Sequence, residues 1–190
     1  MAINRLDLQT ANNELERLSR TDRLTDLNNR GYWEECLHAE YARLQRTSMH
    51  TSSMLMFDID HFKRVNDGYG HAAGDLAIQH CANILKANLR DTDVAGRYGG
   101  EEYAVILVDT SAKQSLIFAE RIRKALENSF VKYEDIVIKF TVSLGIAEYS
   151  ANFDNHTKWI AAADTALYAS KENGRNQTSI YDETMPIKTS

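Results

Sequence analysis

The sequence predicts an α/β protein: a mixed, mainly antiparallel central sheet flanked by helices, preceded by an N-terminal helical linker. Three observations predict it. Segments with apolar residues at helical spacing alternate with short, wholly apolar runs. Two of the short runs, 94–98 and 101–108, are separated only by Gly99-Gly100, a connection too short for anything but antiparallel pairing. No element interior contains proline, because the single proline, Pro186, lies in a tail rich in turn formers.

Taken in order, residues 1–20 read as a helix with a weak heptad, Met1, Leu8 and Leu15 on one position and Asn4, Ala11 and Leu18 on the other. An amphipathic helix packed on its own domain is the alternative. "TDRLTDLNNRGYW", 21–33, is polar punctuation before a helix over 32–46. "SSMLMFDID", 52–60, is a buried strand ending in acids. Residues 60–75 carry Gly68, Gly70 and Gly74 and read as a polar loop around one short helix. Ala77, Cys81, Ile84 and Leu85 then give a helix over 75–89. The strands 94–98 and 101–108 follow, joined by a two-residue hairpin turn. That register sets Tyr98 opposite Glu101, and puts Glu101 on one face with Tyr103, Val105 and Leu107 and Glu102 on the other. A helix over 112–128, strands near 135–140 and 141–148, and a helix over 155–173 capped by Gly174 complete the chain. The expected organisation is a linker helix over 1–20, a single α/β domain over 21–182 and a tail over 183–190.

Composition narrows the function. A formal charge of −5 over 190 residues argues against a general nucleic-acid binder but not against a nucleotide, which needs only local positive charge. Cys36 and Cys81 have no metal-site spacing and read as free thiols of a reducing compartment. With no signal peptide and no apolar run near membrane length, a cytoplasmic location without a membrane segment is expected.

Three features carry possible chemistry. In "FDID", Asp58 and Asp60 share a face of the strand end, where carboxylates are costly to bury unless they meet a cation. Solvated loop acids are the alternative. A hard ion such as Mg²⁺ would take their oxygens and keep sites for substrate phosphates. If the hairpin lies beside that strand, Glu101 can join Asp58 at a metal pair, and Gly99 and Gly100 let a nucleotide approach the backbone. There is no GxxxxGK[ST] loop, so phosphates fall to Lys63, Lys171 and Arg175, although a lysine in a helix's last turn also serves the helix dipole.

"GGEEY" at 99–103, together with "DRLTDLNNR" (22–30), "FDIDHFKRVNDGYGHAAGD" (57–75), "RDTDVAGRYGGEEY" (90–103) and "ADTALYASKENGRN" (163–176), resembles the GGDEF family, the diguanylate cyclases. The resemblance implies a fold similar to the palm of nucleotide cyclases and polymerases. It also implies condensation of two GTP into cyclic di-GMP, with release of two pyrophosphates, by a homodimer. It assigns two Mg²⁺ (or Mn²⁺) per site to Asp58, Glu101 and the backbone carbonyl of Ile59, with Glu101 also taking the 3′-hydroxyl proton. Lys63 matches a transition-state cation. Asn66 and Asp75 match guanine-reading positions with His71 nearby, and Lys171 and Arg175 match γ-phosphate grips. Arg90 and Asp93, five residues before Gly99, match an inhibitory site for cyclic di-GMP, though a surface ion pair would look the same. The linker would connect an upstream sensor domain or regulatory partner protein. Tyr103 departs from the usual phenylalanine and needs a partner for its hydroxyl if buried. A catalytically silent GGDEF receptor, or an enzyme making a mixed purine dinucleotide, are the rival readings.

Overall fold

The run Ser53–Ile59 is apolar on both sides almost to its end, and the computed structural model places it as β1, buried along its whole length. The structure describes residue 15 and residues 20–185. Apart from Leu15 and Arg20, the expected linker helix therefore lies outside the described residues, as does the tail from Pro186 onward. β1 pairs antiparallel with β3 (Glu102–Leu107) on one side and with β6 (Val142–Glu148) on the other. β2 (Val94–Arg97) extends the sheet antiparallel beyond β3, and β7 (Thr178–Ile180) extends it parallel beyond β6. The sheet order is β2-β3-β1-β6-β7, mixed and mainly antiparallel as expected.

Alternation along β1 divides the core. Leu55, Phe57 and Ile59 face α2 (Phe62–Tyr69), α3 (His71–Lys86) and α4 (Ala112–Glu127). Met54 and Met56 face α1 (Arg30–Gln45) and α5 (His156–Glu172) through Trp33, Leu37, Trp159 and Leu167. Each such side chain, fully buried, stabilises the fold by roughly 1.5–3 kcal/mol. The two buried indoles keep their donors satisfied: Trp33 Nε1 donates to Val94 O (3.2 Å) and Trp159 Nε1 to Ala147 O (2.8 Å). Asn29, Ser111 and Asn155 cap α1, α4 and α5. Gly174, past the end of α5, has φ 114° and takes the left-handed position expected of it.

Three expectations need correction. Residues 60–75 are not a loop around one helix but two helices, α2 and α3, meeting at Gly70, whose φ is 87°. Gly74 is helical. A Cβ there would fall 2.0 Å from Asn66 Oδ1, so this glycine serves a close approach of α2 to α3, not a turn. Second, the hairpin is one residue out of the expected register. Arg97 pairs with Tyr103, and the N–H groups of Tyr98 (2.8 Å) and Gly99 (3.3 Å) both donate to Glu102 O. The loop is Gly99-Gly100-Glu101, and neither glycine adopts the positive φ that a two-residue turn requires. Tyr98 thus faces Glu102 and not Glu101, and Glu102 is the ladder partner of Asp58. Third, β5 (Ile136–Ile138) pairs with an unanticipated β4 (Val131–Tyr133) in a separate two-stranded sheet. β4 and β7 have three residues each, too few to show a period.

Candidate active site

Asp58 closes β1 on the face covered by α5, where its side chain is 8% exposed. Lys171, in the last turn of α5, donates to Asp58 Oδ2. Oδ1 is buried with no hydrogen-bond partner. Burial above all, helped by the charges of Asp60 and Glu102, pushes this carboxyl up to about 6 against the downward pull of Lys171. Asp60 behaves differently. Its Oδ2 accepts from Thr141 Oγ1 (2.7 Å) and the Asn176 N–H (3.0 Å), and its Oδ1 from Ser143 Oγ (2.6 Å). Asp60 is therefore a fully bonded tie between the β1 end, β6 and the turn after α5. Of the two acids in "FDID", only Asp58 keeps an oxygen free.

The glycine turn is clamped from outside. Arg97 donates from Nε (3.0 Å) and Nη2 (2.8 Å) to Gly100 O, and from Nη1 to both oxygens of Asp22 (3.2 Å each). Asp22 in turn accepts from the N–H (2.9 Å) and hydroxyl (2.7 Å) of Thr25. Partial burial would raise the Asp22 carboxyl, but the Thr25 hydrogen bonds and the Arg97 charge more than offset it. Asn28 completes the clamp. Its N–H donates to Ala95 O (3.3 Å) and its carbonyl accepts from the Arg97 N–H (2.9 Å), so the 21–28 turn covers the outer edge of β2. This fixes Glu101 on the turn, one residue beyond the ladder. Glu102 folds over the glycines: a Cβ on Gly99 would fall 2.2 Å from its Oε2. The Arg97 clamp was missed from the sequence, although an arginine two residues before a glycine pair is the signal for it.

On the other side of β1, Asn66 of α2 packs on Gly74, so it sits beside Asp75, an exposed residue of α3. His71, the first residue of α3, and Lys63, the second of α2, are exposed at the two helix starts. Arg175 follows α5 with φ 65° and donates from Nη1 to Lys171 O (3.4 Å). A cleft of about 540 Å³ also opens across α2, among Arg64, Tyr69 and Phe140. Of the candidate residues only Asp60 reaches it, and both Asp60 oxygens are already bonded, so volume there does not identify the chemistry.

Tyr103 is wholly buried, stacked on Phe57 (centroids 4.8 Å apart), and its hydroxyl donates to Ile78 O of α3 at 2.7 Å. The signature strand is thereby tied to the helix that carries Asp75. Tyr103→Phe keeps the stack and removes the bond. The expected result is a loss of about 1 kcal/mol of stability in chemical denaturation with catalysis retained. An unchanged midpoint would show that the bond contributes nothing.

Arg90 and Asp93 lie elsewhere. The Arg90 N–H donates to Asp93 Oδ2 (2.9 Å), and Asp93 Oδ1 is buried without a partner. They line a cavity of about 170 Å³ with Leu107 of β3 and Phe118 and Arg121 of α4. Leu107 pairs with Ser53 whereas Glu102 pairs with Asp58. The cavity thus lies at the opposite end of the β1–β3 ladder from Asp58, about 17 Å along the strand. Arg121 was not singled out from the sequence, because nothing in a helical run of alternating charges marks one arginine.

Among the described residues no group of three or more His, Cys, Asp or Glu gathers at one point. Asp58 and the turn bearing Glu101 are nevertheless adjacent through the Asp58–Glu102 pair, and the α5 lysine reaches Asp58 there. The family profile described as "Diguanylate cyclase, GGDEF domain" matches residues 19–177. The chain belongs to the GGDEF family. It is 39% identical over 177 residues to Diguanylate cyclase A of Treponema denticola, covering 92% of this chain and 48% of that protein. The chain thus spans about half the length of the relatives it matches. Among solved structures it resembles the coiled coil and GGDEF domain of DgcB from Caulobacter crescentus in complex with c-di-GMP (TM-score 0.86, 31% identity, 91% of each chain). It also resembles diguanylate cyclase SiaD from Pseudomonas aeruginosa in complex with its activator SiaC (TM-score 0.83, 31% identity, 91% of this chain and 66% of that one). Both likenesses cover the GGDEF fold described above. No helix among the described residues is long and apolar enough to cross a membrane.

Proposed function

We propose that this protein is a diguanylate cyclase that joins two GTP into cyclic di-GMP as a homodimer, one GTP per protomer. The observation that carries this is the buried Asp58 carboxylate, one oxygen unpartnered, beside an intact glycine–glycine–glutamate turn held rigid by Arg97 and Asp22. A buried anionic oxygen without a donor fits a cation. Asp58, Glu101 and the Ile59 carbonyl are the residues that would hold Mg²⁺ or Mn²⁺, two per site. Bound there, the ions supply positive charge to the phosphates and the attacking 3′-oxygen. Glu101 also accepts the 3′-hydroxyl proton. Lys63 lends charge to the α-phosphate as negative charge builds. Asn66 and Asp75 take the guanine edge, with His71 beside them. Lys171 and Arg175 hold the γ-phosphate. Gly99 and Gly100 let the base and sugar lie against the backbone. Two protomers face each other, so that each 3′-hydroxyl attacks the partner's α-phosphate and two pyrophosphates leave. A cytoplasmic setting supplies the GTP, and an upstream sensor or a regulatory partner acts through the N-terminal segment; that a similar protein, SiaD, is found in complex with an activator, SiaC, supports regulation by a partner.

Incubation with Mg²⁺ and GTP, or GTP with ATP, followed by mass identification of the product, tests the reading. Cyclic di-GMP is expected, at a specific activity that rises with protein concentration in the dilute range. No dinucleotide would overturn the cyclase reading, and a mixed dinucleotide would move the assignment of Asp75.

The cavity of Arg90, Asp93 and Arg121 is the seat of product inhibition in this reading. Its two guanidiniums suit the phosphates and guanine edge of cyclic di-GMP, and the free Asp93 oxygen suits a guanine N–H. Asp93→Ala should raise the product concentration for half-inhibition by tenfold or more, on the order of one lost charged hydrogen bond, with the initial rate unchanged. An unchanged inhibition curve would remove the site from this cavity.

A further inference from the structure

Lys171 and Asp58 have separate duties in the reading above, the lysine toward a phosphate and the aspartate toward a divalent cation. In the structure they are bonded to each other. The contact is selective. Asp60, nearby, has both oxygens committed to Thr141, Ser143 and Asn176, whereas Asp58 offers Oδ2 to the ammonium and leaves Oδ1 bare. The helix holds the lysine there firmly. Ser170, its neighbour, donates to Leu144 O (2.7 Å), and Gly145 lets the α5 backbone press onto β6.

We propose that Lys171 is a placeholder cation at the metal seat, holding Asp58 until a nucleotide phosphate draws it away, so that divalent cation and nucleotide enter together and not cation first. This rests on Asp58 being a metal ligand. A cation arriving alone must either displace an ammonium that is 30% exposed, leaving it without a partner, or share one buried carboxylate with it. When a γ-phosphate is present, the displaced ammonium has an anion to pair with, and the penalty disappears. Thermodynamic reciprocity then requires that the cation favour the nucleotide by the same factor.

Mn²⁺ alone, titrated without nucleotide and followed by the electron paramagnetic resonance of the free ion, tests this on the wild type and on Lys171→Met, Arg175→Met and Asp58→Asn, each checked by thermal melting. Lys171→Met should bind Mn²⁺ about tenfold more tightly than the wild type, in the usual range of such couplings. Arg175→Met removes the same charge from the same region without touching Asp58, and should change affinity about twofold at most at physiological salt. Asp58→Asn should abolish binding. If Lys171→Met binds no better than Arg175→Met while Asp58→Asn still abolishes binding, the placeholder is overturned and the metal seat stands. If Asp58→Asn binds like the wild type, the metal seat itself fails and the placeholder with it.

Discussion

Glu101→Gln is expected to reduce cyclic di-GMP synthesis by about a thousandfold or more with the fold intact. The substitution changes one oxygen to an amide of nearly the same size on a half-exposed turn residue outside the strand ladder, so packing gives it nothing to disturb. Its chemistry changes twice. A neutral amide is a far weaker ligand for a hard cation, and it cannot accept the 3′-hydroxyl proton; a general base alone is worth roughly 10²–10⁴ in rate. The melting temperature should stay within about 2 °C of the wild type, the scatter of a surface substitution. Turnover near the normal rate would show that the signature turn does not carry the reaction. Glu102→Gln is the informative companion. Glu102 is paired in the ladder with Asp58, and its charge raises the Asp58 carboxyl. Neutralising it changes the field at the metal seat without removing a proposed ligand, so its loss of rate should be smaller than that of Glu101→Gln.

The fold was legible where periodicity is long. β1, α1, α4 and α5 lie within about two residues of where the apolar spacing puts them. It was illegible where glycine has two meanings. Gly70 does break the chain between α2 and α3, but Gly74, four residues on, sits inside a helix to admit the Asn66 side chain. A sequence shows the missing Cβ and not the reason for it. The hairpin shows the same ambiguity. Gly-Gly reads as a two-residue turn, yet both glycines keep negative φ, because Arg97 holds the Gly100 carbonyl and Glu102 fills the space over Gly99. Those two side chains flank the turn closely in sequence, and their folding back over it sets a three-residue loop. The individual site residues were nameable from the signature segments. What the sequence could not show is how they are tied: Asp22 to Arg97, Tyr103 to Ile78 and Lys171 to Asp58, over separations of 75, 25 and 113 residues.

Gly145→Ala should cost the largest stability of any single methyl added to this chain's glycines, and it should also cost activity. Gly145 is the centre of β6, paired with Met56 on one side and Ser179 on the other. A Cβ there would fall 2.1 Å from the Leu167 nitrogen and 2.3 Å from the Ala163 oxygen of α5. Both are backbone atoms, so no rotamer change relieves the clash and the whole helix must move. α5 is held down by Ser170 on Leu144 O and by Trp159 on Ala147 O, and retreat strains both bonds. Rigid overpacking of this kind costs about 3 kcal/mol, at the upper end of the usual range. In a domain of this size that corresponds to a fall of roughly 6–12 °C in melting temperature. Retreat of α5 also carries Lys171 away from the place where it would hold the γ-phosphate, so the catalytic rate should drop even at temperatures where the variant is folded. Gly68→Ala is the matched control: that glycine lies within α2, with nothing within 4 Å of an added Cβ. The same methyl should raise stability by about 0.5–1 kcal/mol, as alanine does in a helix interior. If Gly145→Ala melts with the wild type, close contact between α5 and β6 is not what sets the position of Lys171.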